Sequence, residues 1–147
     1  MQGTVLALAL RPVKSQALIA QDTLELSAKT GVIGDHGTSR RRQVSLLDEA
    51  AWKAACIEVG EELDWTTRRS NVLVSGLDLQ TLVGNHIRLG SALVEVMGEG
   101  VPCHVMAAAK KGLKRALKLE WRGGVYGRVI ESGQVHVGDK ITIQSSQ

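Results

Sequence analysis

Seven residues, Gly98-Glu99-Gly100-Val101-Pro102-Cys103-His104, hold one of the chain's two cysteines. An alternating apolar run over 93–97 precedes them, and a segment with helical spacing follows. The two glycines predict a tight turn, because glycine reaches φ > 0 without steric cost. Pro102 suits a first helical turn, where its missing N–H has no partner to lose. Cys103 would then stand at a helix N-terminus, where partial positive charge favours a thiolate, the form that attacks electrophiles and binds metals. The competing reading is a half-buried cysteine in a connecting loop, packing as a small hydrophobe.

Cations supply the other chemistry. Arg40-Arg41-Arg42 lies between a glycine loop and a strand. It either guards the strand end or grips a phosphate, since guanidinium forks match phosphate oxygens in pairs. Arg68-Arg69-Ser70-Asn71 sets a hydroxyl and an amide beside a second cationic pair, or is a plain surface loop. Lys14 and Arg122, taken singly, read as solvated side chains. Gly34-Asp35-His36 offers two metal ligands, too few for a site. Asp35 is instead expected to order its loop by accepting from backbone N–H groups. The four histidines are scattered, and no nucleophile–base–acid set or phosphate-cradling glycine loop can be assembled from spacing. The lysine-rich segment 110–118 reads as a solvated helix face.

Composition bounds what can position these groups. The 147 residues fit a single domain, 1–147, with a real core. Aromatics are 3% and Phe is absent, so the core must be aliphatic and a base-stacking platform for nucleic acid is disfavoured. A net charge of +3 suits an anionic small ligand as well as a polyanion. Two cysteines make neither a disulfide framework nor a zinc cluster. The apolar run 5–10 is short and lacks a preceding basic residue, unlike a signal peptide, and no run approaches membrane-spanning length. A cytoplasmic setting is expected.

Along the chain, 5–10 predicts a buried strand ending at Arg11-Pro12. Residues 18–20 and 23–26 predict a further strand or a hairpin bent at Gln21-Asp22. A glycine loop spans 30–39. A strand over 43–47 leads into a helix from about Asp48 to Val59, with Ala51, Ala55 and Val59 as its core stripe and Gly60 as its stop. Strands are predicted over 72–74, 86–89, 92–97, 125–130, 135–137 and 141–143, with one helical turn in 76–82. Leu113, Ala116 and Leu117 continue a helical spacing from Met106 that Gly112 weakens or breaks. Residues 144–147 are expected to fray. Short strands with glycine turns, not alternating with helices, argue for a mainly β fold with a few helices, a strongly curved β-barrel.

In order, Pro12-Val13-Lys14-Ser15, Gly34-Asp35-His36, Arg42-Gln43-Val44-Ser45, Arg69-Ser70-Asn71-Val72-Leu73-Val74-Ser75-Gly76, Leu89-Gly90, Pro102-Cys103 and the stretch from Gly133 to Gly138-Asp139 resemble a MOSC domain. This module is named after the C-terminal part of molybdenum-cofactor sulfurases. The resemblance implies a curved barrel, a functional cysteine at Cys103, and binding of the molybdenum cofactor or carriage of sulfur. Some members reduce N-hydroxylated substrates. Carried over, Cys103 is the molybdenum ligand, Lys14 and Arg42 are phosphate-binding candidates, and Arg69, Ser70 and Asn71 contact the pterin. Arg122 joins them as a further cofactor-binding cation. A desulfurase or an electron-transfer protein is the implied partner. Larger relatives add domains that help cover the cofactor, so a stand-alone domain is expected to bind it transiently, to need a partner, or to carry sulfur only. The alternative outside this family chemistry is a basic binding module in which 40–42 and 110–118 form one patch.

Overall fold

The computed structural model describes residues 2–14, 16–39 and 41–144. Met1, Ser15, Arg40 and the terminal 145–147 lie outside the described residues. The first strand, β1 (Gln2–Leu10), is followed by β2 (Ile19–Gln21), β3 (Thr23–Ser27), β4 (Gly31–Val32), β5 (Val44–Asp48) and helix α1 (Glu49–Val59). Next come β6 (Val72–Ser75), β7 (His86–Leu89), β8 (Ala92–Glu99), α2 (His104–Ala109) and α3 (Leu113–Lys118). β9 (Val125–Glu131), β10 (Gly133–His136) and β11 (Lys140–Gln144) complete the order.

Seven strands close into a barrel in the order β1-β6-β5-β9-β8-β7-β11, and β11 returns to β1 with Gln2 opposite Thr142. Closure removes the unpaired edges that an open sheet of such apolar strands would present. All ladders in the barrel are antiparallel except β5–β6, which α1 connects as a crossover. β2 hangs on the outer part of β1, and β10-β3-β4 form a small second sheet. The single strand or hairpin expected over 18–26 is instead two strands in different sheets: β2 pairs with β1, and β3 with β10 and β4.

The core is largely aliphatic, as expected from the lack of Phe, with Trp52 the aromatic exception among its buried members. One cluster fills the barrel, with Leu8, Leu46, Val72, Ile87, Leu89, Val94 and Ile141 among its members. A second lies between the barrel wall and the helices, built on Leu47, Trp52, Ala55, Met106, Leu113 and Leu117. The two clusters give the wall two buried faces, so Leu46 and Leu47 on β5 are both excluded from water.

Asp48 caps α1 by accepting from the Ala51 N–H at 2.9 Å, and Gly60 ends it in the left-handed conformation at φ 75°. The buried stripe is Trp52, Ala55 and Cys56, with Ala51 and Val59 only half-buried. Trp52 is anchored in that stripe, its indole N–H donating to the Leu63 carbonyl at 3.0 Å. Gly112, at φ 86°, divides the expected helix over 106–118 into α2 and α3. Both cysteines are free.

The cysteine segment departs from its expected turn. β8 runs on through Gly98 and Glu99, and neither Gly98 nor Gly100 has positive φ. These glycines serve close approach instead. A Cβ on Gly98 would lie 3.2 Å from the Tyr126 hydroxyl, and one on Gly100 would meet the Gly123 and Gly124 carbonyls. Pro102 lies one residue before the cap rather than inside the helix, and Cys103 is the N-cap of α2.

Candidate functional site

Three chain crossings meet at one end of the barrel: the exit of β1, the entry to β6, and the β8–α2 turn against Gly123-Gly124. Asp35 ties the first together. Its Oδ1 accepts from the Arg11 N–H at 2.8 Å, and its Oδ2 from the Gly37 N–H at 2.9 Å. This is the loop-ordering role its position predicted. Asn71 reaches across the floor. Its Nδ2 donates to the Ala9 carbonyl (3.2 Å) and to Asp35 Oδ1 (3.3 Å), while its Oδ1 accepts from the Ser45 N–H and hydroxyl, both at 3.1 Å. Two donors and two acceptor sites are thus all engaged. Asn71 works as a strut between β1, β5 and β6, and the Asp35 carboxylate spends its charge on scaffold donors.

Above this floor the cations gather. A cleft of about 170 Å³ is lined by Arg11, Arg42, Arg68 and Arg69, with Thr38, Ser45 and Ser70 supplying hydroxyls. Arg42 stacks over Tyr126, its guanidinium carbon 4.7 Å from the ring centroid. Arg69 is held left-handed at φ 66°, as the cap of the single-turn 3-10 helix Trp65–Arg68. A non-glycine residue in that conformation is strained by about 1–2 kcal/mol. Strain of this kind persists only where the surroundings fix it.

Arg68 is the best-held of the four. Its Nε donates to the Gly123 carbonyl at 3.1 Å and its Nη2 to the Gly100 carbonyl at 2.7 Å. Burial pulls its pKa below the ordinary arginine value; negative charge on Cys103 works the other way, and Arg42 adds to the lowering. An arginine stays charged through such a shift. Arg68 therefore joins the cleft to the cysteine loop.

Arg42, Arg69, Ser70 and Asn71, all sequence candidates, share this cleft. Cys103 is exposed and stands outside the lining, on the segment that Arg68 clamps. Lys14 is exposed on the loop after β1 and does not line the cleft. Arg122 lies toward the helices: its Nη1 donates to Glu58 Oε1 at 3.1 Å and to the Ala116 carbonyl at 3.3 Å. The lysines of 110–118 are also outside the lining, so they do not merge with Arg42 in that cleft. Among the described residues, no group of His, Cys, Asp and Glu could hold a metal by itself. Sequence reasoning missed Arg11 and the weight of Arg68. The first looked like a strand terminator before Pro12, and the second had only its neighbour Arg69 to mark it.

A family model described as the MOSC domain matches residues 33–142, most of the chain and most of this site. The chain belongs to the MOSC domain family. That family is associated with binding of the molybdenum cofactor. Among solved structures, the YuaD protein of Bacillus subtilis superposes with TM-score 0.83 at 23% identity, covering 100% of this chain and 98% of that one. YiiM of Escherichia coli gives 0.74 at 18% identity over 100% and 71%. YiiM of Geobacillus stearothermophilus gives 0.75 at 15% over 99% and 75%. At these identities the likeness is one of fold. No curated protein sequence matches the chain.

The Arg68 turn has a pH-sensitive cap. Asp64 accepts from the Thr66 N–H at 2.9 Å and the Thr66 hydroxyl at 2.6 Å. The hydroxyl bond first, then the backbone bond, lowers its pKa, with burial opposing. A lowered carboxyl pKa stabilises the fold above the unfolded value of about 3.9, and that contribution is lost as pH falls through the folded value. Asp64→Ala should cost about 1 kcal/mol at neutral pH, the usual worth of such a cap. Urea midpoints of variant and parent should converge below about pH 4, whereas a constant gap would mean the carboxylate is not the stabilising group.

Proposed function

We propose that the cleft holds the phosphate-bearing end of a molybdopterin-type cofactor and that the Cys103 thiolate ligates its molybdenum. One observation carries this reading: among the described residues, four arginines line a single cleft whose only carboxylate is turned into the scaffold. The donor set fits. Guanidinium groups and hydroxyls suit a dianionic phosphate, and a soft thiolate suits a soft metal. About 170 Å³ is small beside the roughly 300–1,000 Å³ of a whole small-ligand pocket, so the cleft would enclose one end of the ligand and leave the rest along the rim toward Cys103.

When bound, such a cofactor supplies two-electron redox chemistry. The residues supply hold and orientation. Arg42 and Arg69, with Arg11 and Arg68 beside them, neutralise the anionic end. Ser70 and the Asn71 strut keep the floor in place. Arg68 keeps the cysteine segment at the rim. The reaction class that follows from the family resemblance is reduction of N-hydroxylated substrates. Exposure of Cys103 outside the cleft favours a second reading, a sulfur carrier whose thiolate takes the sulfane sulfur of a desulfurase persulfide.

Protein isolated gently from cells that make the cofactor should release a pterin, read as its fluorescent oxidation product. Arg42→Ala combined with Arg69→Ala should lower retention at least about tenfold, since each charge-assisted contact is worth roughly 1.5–3 kcal/mol. No pterin from the parent protein, even with cofactor in excess, would falsify the cofactor reading.

A further inference from the structure

Residues 100–119 contain five Lys or Arg and no Asp or Glu. α3 turns Leu113, Ala116 and Leu117 inward and leaves Arg115 and Lys118 in water, with Lys111 exposed just before it. Lys110 pairs with Glu61 at 2.8 Å. Lys111, Lys114, Arg115 and Lys118 have no ion-pair partner among the described residues. A solvated helix face would account for exposure alone. It does not account for the uniform sign, even though Arg115 and Lys118 also suit the last turn of α3, where cations complement the helix dipole. Lys114 and Lys118 repel at i,i+4 within α3. Neither α2 nor α3 has an acid in its first turn or a side-chain cap bond, where one would stabilise it.

The position of this face gives the charge a use. α2 starts at Cys103. α3 comes back to the same place: the Gly123 N–H donates to the Leu117 carbonyl at 3.0 Å, and Gly123 packs on Gly100 and Pro102. With six residues, α3 is only about 9 Å long. Its cations thus lie within about one short helix of the segment carrying the thiol. Val101 and Leu119, 51% and 47% exposed, add apolar surface at the two ends of this stretch. Exposed apolar side chains together with cations are what a protein–protein interface can bury and pair. No Phe, Tyr or Trp occurs in 100–119, and Trp121 just beyond it packs against the barrel core, which disfavours a base-stacking role for this face.

We propose that the outer face of the α2–α3 hairpin docks a partner protein with an acidic surface, and that docking sets that partner against Cys103. The proposal rests on the reading of Cys103 as the reactive group, and it requires no bound cofactor.

The test uses the apo protein and a fluorescein-labelled peptide of glutamate and leucine, read by anisotropy at physiological salt. Its controls are the same peptide with glutamine for glutamate, and a uridine oligonucleotide of equal charge. Saturable binding of the glutamate peptide is expected. It should weaken about tenfold or more in the triple variant Lys111→Glu, Arg115→Glu, Lys118→Glu, because opposed rim charges become like charges. The same sites changed to Gln, a milder substitution, should give an intermediate loss and cover a folding failure of the first variant. Saturating peptide should also slow alkylation of Cys103 by N-ethylmaleimide several-fold, read by peptide mass spectrometry. Binding no better than the glutamine peptide, binding indifferent to both variants, or alkylation unchanged at saturation overturns the proposal. Tighter binding of the oligonucleotide assigns the face to nucleic acid instead. A parent dimer in sedimentation that the triple variant abolishes assigns it to a second copy of this chain. Pterin retention enters none of these readouts, so this proposal and the cofactor reading fail separately.

Discussion

Cys103→Ser is expected to leave the barrel as stable as before and to remove its chemistry. Cys103 is exposed, belongs to neither core cluster, and caps α2 without a side-chain cap bond. Serine is nearly isosteric and is a preferred cap residue, so the melting temperature should hold or rise slightly. Serine is not a soft ligand and carries no persulfide. Molybdenum and pterin content should therefore drop by more than the roughly 10–100-fold that loss of an outer-shell partner costs. Incubation with a desulfurase and cysteine separates the two readings of the parent protein. One sulfur added at Cys103 supports carriage; an unmodified thiol beside an active donor rules it out. Parental pterin content together with parental reductase activity in Cys103→Ser would dismiss the cysteine from both roles.

What the sequence made legible was local. Asp48 and Gly60 bound α1 because a cap and a left-handed stop are written in single residues. Gly112 broke the helical spacing for the same reason. Asp35 could be read as a loop organiser because its partner Gly37 is two residues away, and Arg11 simply joined it. The membership of the cleft was another matter. Arg11, Arg42, Arg68, Arg69 and Arg122 look alike in a sequence, and what sorts them is pairing between distant strands. β1 runs beside β6, and β5 between β6 and β9, and those ladders bring four of the arginines together. Arg122 comes out of the same glycine turn that Arg68 clamps, yet Glu58 on α1 draws it to the helices. No spacing rule predicts that choice, since it depends on how α1 packs. Closure itself, β11 on β1, joins the two ends of the chain and leaves no local signal beyond the apolar alternation of each strand.

The largest loss of stability from any cleft cation should come from Arg68. Arg42 and Arg69 are exposed, and their loss should disturb the fold little. Arg68 is different because two carbonyls, Gly100 and Gly123, in separate chain segments accept from its one guanidinium. Hydrogen bonds to a charged donor contribute roughly 1.5–3 kcal/mol each, and burial of the guanidinium offsets part of that sum. Arg68→Met, which keeps much of the stem, should cost about 2–4 kcal/mol. Arg68→Lys should recover only part, because one ammonium does not reproduce the planar fork that serves two acceptors. The urea midpoint should fall with an unchanged slope, since the exposed surface of the unfolded chain is the same. The loosening should also be local. Amide exchange should accelerate first at Gly100, whose N–H donates to Gly124, and at Gly123 and Gly124, before the barrel ladders respond. A variant as stable as the parent, with those amides still protected, would show that the glycine strands hold each other and that the clamp contributes only charge. In that case the cysteine segment would be fixed by β8 and Pro102 alone, and pterin retention in Arg68→Met should fall no further than in Arg69→Ala.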